Sequence, residues 1–525
     1  LDKIWYAHQA FQRLLYVDES SWNALIYGFI NHGNPIQAFS LYQKMKDNYL
    51  VHCPCGYTFV ALLKACANHK DLQKGSRIHA HLLRTGLLDR DVYVGNTILS
   101  FYAKCGLLSK AVQLFEQLRH IRDVVSWNVL ITGYTRHGHA MEALKHFERM
   151  EGEGIRPDAF TFVSVLKACA ITHMSEKGEE VHVEMIKQGL LENDIFTGTA
   201  LLDMYAKCGD LAKATYVFNR LASRNIVSWN ALISGYSQLG HSKNALDCFI
   251  SLQHEGFCPN SVTFVCALNS CGNLELFEKG KSIHAQIVNQ GILEKNVLLS
   301  NALLDMYAKC GMIAKAREVF DEVQIRDVVT WNVLIAGYVK SGHGEEAMHS
   351  FKKMRQDGFS PDAVTFLCIL KACGSIGAVI MGKEIHAEIV SKGLLEKDIL
   401  ISNALVDMYT KCSGPRKAQE VFDQLQFRDV VSWNALITGY ARHKHGETAL
   451  ECFQQMQGEG LAANRVTLLC ILKACGCLGA IHVGEDIHAR LRREGILPED
   501  ILLNTSLVDM YAKCGALKKA HEVFD

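Results

Sequence analysis

Tryptophan sets the period of this chain. Trp127, Trp229, Trp331 and Trp433 stand 102 residues apart, and Trp22 lies 105 residues before the first of them. A return to the same residue at a fixed long interval marks a repeat array, which must be recognised before any local reading of the fold. Each 102-residue block holds three related units of 35, 36 and 31 residues, first seen as 124–158, 159–194 and 195–225. The triplet recurs through 226–260, 261–296 and 297–327, then through 328–362, 363–398 and 399–429. It closes with 430–464, 465–500 and a unit cut at Asp525. Upstream lie an irregular 37-residue unit (19–55), a 36-residue unit (56–91), a 32-residue unit (92–123) and the tail of another over 1–18.

Each unit reads as a helical hairpin. In 124–158, Trp127, Leu130, Ile131 and Tyr134 have helical spacing, the pattern stops near His137-Gly138, and it resumes at Met141, Leu144, Phe147 and Met150 before Gly154 and Pro157. Two helices of about a dozen residues result. Neither buries its apolar face alone, so neighbouring hairpins are expected to stack into an all-α solenoid, a superhelix with one continuous core and a concave inner surface. No domain boundary is expected inside such an array.

Composition narrows the function. Lys+Arg and Asp+Glu both number 55, so the chain does not coat polyanions through bulk charge, and nucleic-acid binding would need a local stripe. No apolar run approaches the roughly 18 residues of a membrane span. The 19 cysteines are odd in number and lack dense CxxC pairs, which argues for free thiols in a reducing compartment. Ten of them are periodic, at Cys66, Cys169, Cys271, Cys373 and Cys475 and at Cys105, Cys208, Cys310, Cys412 and Cys514. Small packing residues between helices are expected there. Cys53 and Cys55 lack further ligands at zinc-like spacing.

Counted from the first residue of each unit, positions two, five, nine and thirteen share one face of the first helix. Position five is Asn23, Asn128, Asn230, Asn332 and Asn434 in the 35-residue class of units. It is Asn96, Thr199, Asn301, Asn403 and Thr505 in the shorter class. Both residue types donate and accept hydrogen bonds, which suits reading the edge of an unpaired base. Position two is apolar in the later units, at Val125, Phe196, Val227, Leu298, Val329, Leu400, Val431 and Leu502. A purely local alternative stands beside this: the Asn caps a helix start and the aliphatic residue packs in the core. Position thirteen carries Lys104, Arg136, Lys207, Lys309, Lys340, Lys411, Arg442 and Lys513, a stripe suited to phosphates that neutral net charge conceals. Asp203, Asp305, Asp407 and Asp509 lie four residues before the lysines, so helix-surface pairing competes for them. The 36-residue units have Val60, Val163, Val265, Leu367 and Leu469 at position five, with no polar atom to discriminate bases.

Segments such as VVSWNVLITGYTRHGHAMEALKHFERMEGEGIRPD, AFTFVSVLKACAITHMSEKGEEVHVEMIKQGLLEND and IFTGTALLDMYAKCGDLAKATYVFNRLASRN resemble, in that order, the P, L and S units of PLS-class pentatricopeptide-repeat proteins of plants. The resemblance covers essentially the whole chain. The tetratricopeptide pattern, which shares a period in the mid-thirties and binds peptides, does not accommodate SWNxLIxGY. The resemblance implies single-stranded RNA as partner, no cofactor, bases clamped between position-two side chains, and an organellar location, mitochondrion or chloroplast, with any transit peptide outside this chain. It further implies a two-residue code in which position five acts with the last residue of its unit. Asn with Asp favours U, Asn with Asn favours C, Thr with Asn favours A and Thr with Asp favours G. Applied here, Asn96/Asp123 and Asn128/Asp158 give U and U, Thr199/Asn225 gives A, and Asn230/Asn260 gives C. Asn301/Asp327, Asn332/Asp362 and Asn403/Asp429 each give U, and Asn434/Asn464 gives C. With n for each L unit, the implied core target is 5′-UUnACnUUnUC-3′. Asn23 falls in an irregular unit, and Thr505 lacks its final partner.

The implied role is the recognition half of an organellar C-to-U editing factor, acting with editing-complex proteins or a deaminase. Two rivals remain: an intact enzyme whose C-terminal deaminase domain lies beyond this chain, and a peptide-binding scaffold. His182-Val183-Glu184 and His386-Ala387-Glu388 match the HxE of zinc cytidine deaminases, but His79, His284 and His488 occupy the same repeat position and P-C-x-x-C is absent. No Gly-rich phosphate loop or hydrolase elbow is present either. The chain itself is therefore expected to hold no metal and to catalyse nothing.

Overall fold

The residue that ends one unit starts the next helix. Asp123 accepts from the Ser126 backbone N–H at 3.0 Å while the Ser126 hydroxyl accepts from the Asp123 N–H at 3.1 Å. The same reciprocal box recurs at Asp158, Asn225, Asp327, Asp362, Asp429 and Asn464. It satisfies N–H groups that the first turn of a helix cannot satisfy internally. The helix so started, Val124–Arg136, ends at Gly138, whose φ of 82° favours glycine, and Ala140–Gly152 then runs back. The expected break near His137-Gly138 is where the chain turns.

The computed structural model describes residues 2–13, 18–47, 56–88, 90–190, 194–293, 296–395, 397–493 and 500–524. The end of the irregular unit 19–55, with Cys53 and Cys55, lies outside the described residues, as does Asp525. The described residues form 31 helices and no strand, an α-solenoid of stacked hairpins. They fall into two compact units, 1–263 and 264–525, and the division lies within the helix Ser261–Asn273 and not at a linker.

The periodic tryptophan explains itself through packing. Trp127 is fully buried and meets Phe115 edge-on at 4.6 Å. Trp229 with Phe218, Trp331 with Phe320 and Trp433 with Phe422 repeat that contact at 4.6 Å. The glycine of SWNxLIxGY answers a second demand: a Cβ on Gly235 would lie 2.7 Å from the Ala206 Cβ, and one on Gly337 would lie 2.9 Å from that of Ala308. First helices of adjacent hairpins thus approach closely there, which places their position-five side chains next to the following hairpin. The cysteines of the LKAC segments are buried, and burial pushes the thiols of Cys169 and Cys373 up to about 12. The Cys412 thiol donates to the Cys373 carbonyl at 3.1 Å, so the two periodic cysteines pack across one helix contact.

Candidate nucleic-acid interface

Position two is exposed in every unit where it was singled out. Val125, Val227, Val329 and Val431 are between 50% and 59% exposed, and Phe196 and Leu298 reach 75% and 74%. Leu400 and Leu502 are exposed as well. These side chains stand clear of the core, which removes half of the local alternative. The other half fails because the cap is the unit-ending residue: Asn128 lies one full turn inside the helix Val124–Arg136, which Asp123 caps.

The side chain of position five instead reaches the end of its own unit. Asn96 Nδ2 donates to Asp123 at 2.9 Å, and Asn128 Nδ2 donates to both carboxylate oxygens of Asp158 at 2.9 and 3.1 Å. Asn230 donates to Asn260 at 3.0 Å, Asn301 to Asp327 at 3.3 Å and Asn332 to Asp362 at 2.9 Å. Asn403 with Asp429 at 3.1 Å and Asn434 with Asn464 at 3.0 Å complete the set. Two residues about 30 positions apart in sequence thereby form one polar pair at each of these units. Thr199 makes no such bond to Asn225: its hydroxyl is buried without a partner. Thr505 is exposed and turns its hydroxyl back to the Ile501 carbonyl at 2.7 Å. Asn23 accepts from the Thr58 hydroxyl.

Several of these carboxylates are held as anions. Burial alone would raise Asp123, but hydrogen bonds from Asn96 and Ser126 outweigh it and keep the carboxyl below its ordinary value. The same balance holds for Asp327, Asp362 and Asp429.

Successive units leave grooves between their first helices. One of about 370 Å³ holds Asn96 between Tyr93 and Val125, with Lys104 on its wall. The next, of about 350 Å³, holds Asn128 and Asp158 between Val125 and Phe160, with Lys104 and Arg136. The second groove thus combines two apolar side chains, a polar pair and two cations, and the first holds the Asn96 member of its pair beside Tyr93, Val125 and Lys104. An unstacked base with its phosphate matches that arrangement.

The cations are accessible, though most lysines are engaged. Lys207, Lys309, Lys411 and Lys513 pair with the acids four residues before them at 2.6 to 2.7 Å. Lys340 donates to the Lys309 carbonyl at 3.1 Å. Lys104, Arg136 and Arg442 are exposed. Exposed ion pairs contribute only about 0.3–0.5 kcal/mol, so these lysines can exchange a carboxylate for a phosphate.

The HxE histidines have a structural occupation. His182 Nδ1 lies 2.9 Å from the Tyr205 hydroxyl and His386 Nδ1 3.0 Å from that of Tyr409. His79, His284 and His488 make the same bond to Tyr102, Tyr307 and Tyr511. Burial lowers the histidine pKa at each, which favours the neutral ring. No group of three or more metal-ligating side chains gathers among the described residues.

The PPR repeat family model matches 122–171, 224–273, 326–375 and 428–477, and the PPR repeat model matches 20–50, 96–121, 160–190, 199–226, 300–328 and 505–525. The chain belongs to the pentatricopeptide-repeat family. A chloroplastic pentatricopeptide repeat-containing protein of Arabidopsis thaliana is 33% identical over 506 residues, covering 96% of this chain and 52% of the relative. A second chloroplastic relative from the same plant is 32% identical, covering 90% of this chain and 75% of its own length. A mitochondrial one is 33% identical, at 98% and 50%. The chain spans about half the length of the first and third of these relatives. Among solved structures, the maize pentatricopeptide repeat protein PPR10 superposes with a TM-score of 0.54 at 21% identity, covering 97% of this chain and 78% of that one. Its complex with an 18-nt psaJ RNA element gives a TM-score of 0.51 at 20% identity, covering 97% and 84%.

One participant in this face escaped the sequence reading. At Asn23, Asn96, Asn128, Asn230, Asn332 and Asn434 the hydroxyl at position three of the next unit donates to the position-five amide oxygen, as Thr161 does to Asn128 at 2.6 Å. The signal was present: position three is Ser or Thr after every unit with Asn or Thr at position five, through Thr58, Ser126, Thr161, Ser228, Thr263, Thr330, Thr365, Ser432 and Thr467.

Proposed function

We propose that this pentatricopeptide-repeat chain binds one single-stranded RNA sequence, one base per reading unit, with the core target 5′-UUnACnUUnUC-3′. The reading divides the chain into P, L and S triplets over 19–123, 124–225, 226–327, 328–429 and 430–525, after a partial S unit at 1–18. The observation that carries it is the polar pair formed by position five and the unit-ending residue, repeated from unit to unit and, at Asn128 and Asp158, lining a groove between the exposed position-two side chains Val125 and Phe160. The amide and its partner offer a different donor and acceptor pattern for each combination, which is what discrimination between unstacked bases requires. The RNA complex of maize PPR10 supports RNA as the ligand class of this fold. The chloroplastic and mitochondrial names of the relatives support an organellar location.

In this reading the chain is the recognition part of a C-to-U editing factor. The deaminase is supplied by the rest of the polypeptide or by an editing-complex partner, and the chain contributes no catalytic group of its own. Selection of bound RNA from a random pool tests the reading. The enriched sequences should share U, U, A, C, U, U, U and C at the stated spacing, with no preference at the three n positions. Enrichment of an unrelated motif, or none, would refute it.

A further inference from the structure

Position-five asparagines fall into two groups by what their oxygen meets. In the first, Oδ1 accepts from the position-three hydroxyl of the following unit: Ser126 to Asn96 at 2.5 Å, and Thr161, Thr263, Thr365 and Thr467 to Asn128, Asn230, Asn332 and Asn434, each at 2.6 Å. In the second, Asn301 Oδ1 and Asn403 Oδ1 are buried without a partner. There the hydroxyls reach the unit-ending acids alone, Thr330 to Asp327 at 2.8 Å and Ser432 to Asp429 at 2.7 Å, whereas Thr365 lies within reach of both Asn332 and Asp362, at 2.6 and 2.8 Å. Unit length separates the groups. Asn301 and Asn403 belong to 31-residue units, whereas the partnered asparagines, Asn23 included, belong to units of 32, 35 or 37 residues.

Helix starts do not in general require the hydroxyl that completes these capping boxes. Helices that follow the 36-residue units are capped by Asp91, Asp194, Asn296, Asp398 and Asp500, yet four of them carry Val94, Leu299, Ile401 and Leu503 at position three. The hydroxyl therefore appears where a position-five Asn or Thr precedes it, and is mostly dispensed with where Val or Leu does.

Its orientation follows from the backbone. In the unit 328–362, the Thr365 N–H fixes an Asp362 oxygen at 2.9 Å, that carboxylate fixes Asn332 Nδ2, and the amide oxygen is left facing Thr365. An amide has two donors and two lone pairs, so one of each is consumed by the protein and one of each remains at a fixed place. Reversing the amide would break both bonds. Uracil and cytosine differ by exchanging donors for acceptors on the same edge, so an amide free to reverse would serve both.

We propose that the buried position-three hydroxyl of the downstream unit is a third, positioning member of those base-reading sites whose amide it reaches, and that the 31-residue units, which lack its bond, discriminate less. This deepens the RNA reading above and rests on it. Asn301 and Asn332 supply a matched pair, since both end in Asp and read the adjacent uridines at the seventh and eighth places of the target.

The test measures binding of the full chain to oligonucleotides with U or C at each of those two places. Wild type should prefer U at both, more strongly at the eighth. Thr365→Val should lower the preference at the eighth about three- to tenfold, the worth of one hydrogen bond, and leave the seventh unchanged. Thr330→Val removes an equivalent capping hydroxyl, so thermal melting of the two variants should shift alike, but its base preferences should stay as in wild type. Thr365→Ser should restore discrimination. An unchanged preference in Thr365→Val, or an equal loss in Thr330→Val, would overturn the positioning role. A wild-type chain with no base preference at either place would instead overturn the RNA reading beneath it.

Discussion

The units 124–158 and 159–194 use the same kind of residue at their ends for different purposes. Asp158 caps the helix that follows and also takes the Asn128 amide, whereas Asp194 caps its helix while position five of its unit is Val163. One acid is a cap and half of a polar pair; the other is a cap alone. The difference shows that the pairing is laid over a scaffold that stands without it. A unit-ending acid is needed structurally wherever a helix must start, and it joins a site only where the amide reaches it. The same scaffold therefore carries units with a polar pair and units without one.

Converting the first kind of unit into the second should produce the largest effect. Asn128→Val gives the unit 124–158 the position five of its neighbour. Discrimination at the second U of the target should fall by about 1–3 kcal/mol, with little change elsewhere, in competition binding against single-base variants. A variant that kept its preference for U would erase the distinction between the two kinds of unit.

A smaller effect should separate affinity from discrimination. Replacing Lys207, Lys309 and Lys411 by Gln removes three cations beside their partner acids. For single strands, log affinity falls with log salt by about 0.7 per neutralised phosphate, so the slope should flatten by up to about 2 while base preference stays unchanged. An unaltered slope would reduce the stripe to surface pairing.

The smallest expected effect concerns acid. The carboxyls of Asp123, Asp327, Asp362 and Asp429 are lower in the fold than the ordinary 3.8. Their contribution to stability is therefore fully present above that value and is lost as pH falls through the lower folded values. A chain with Asn at all four positions should lose part of its acid sensitivity in melting experiments between neutral pH and pH 3. Units ending in Asn225, Asn260 and Asn464 already lack such a group.

Much of this organisation is legible in the sequence because repetition removes ambiguity. Trp127 and its copies set the register, and the helix break at His137-Gly138 follows from the apolar spacing. What the spacing could not supply is contact between hairpins. That Asn128 meets Asp158 as a side-chain pair, that Val125 stands exposed, and that Thr161 closes the amide all depend on how one first helix lies against the next. The periodic histidines show the same limit from the other side. HxE suggests a metal ligand in one dimension, and only the hydrogen bond between His182 and Tyr205 gives the ring its ordinary structural partner. That the Thr199 hydroxyl is buried without a partner was likewise invisible, since it depends on how neighbouring helices pack.

Thr199 and Asn225 also offer the most direct test of the central claim, that position five and the unit-ending residue together choose the base. The variant Thr199→Asn with Asn225→Asp installs the pair found at Asn128 and Asp158 in a unit assigned to A. Its binding to oligonucleotides differing only by A or U at the fourth place should reverse the wild-type preference, with the mismatch costing about 1–3 kcal/mol. A double variant that still prefers A would contradict the account.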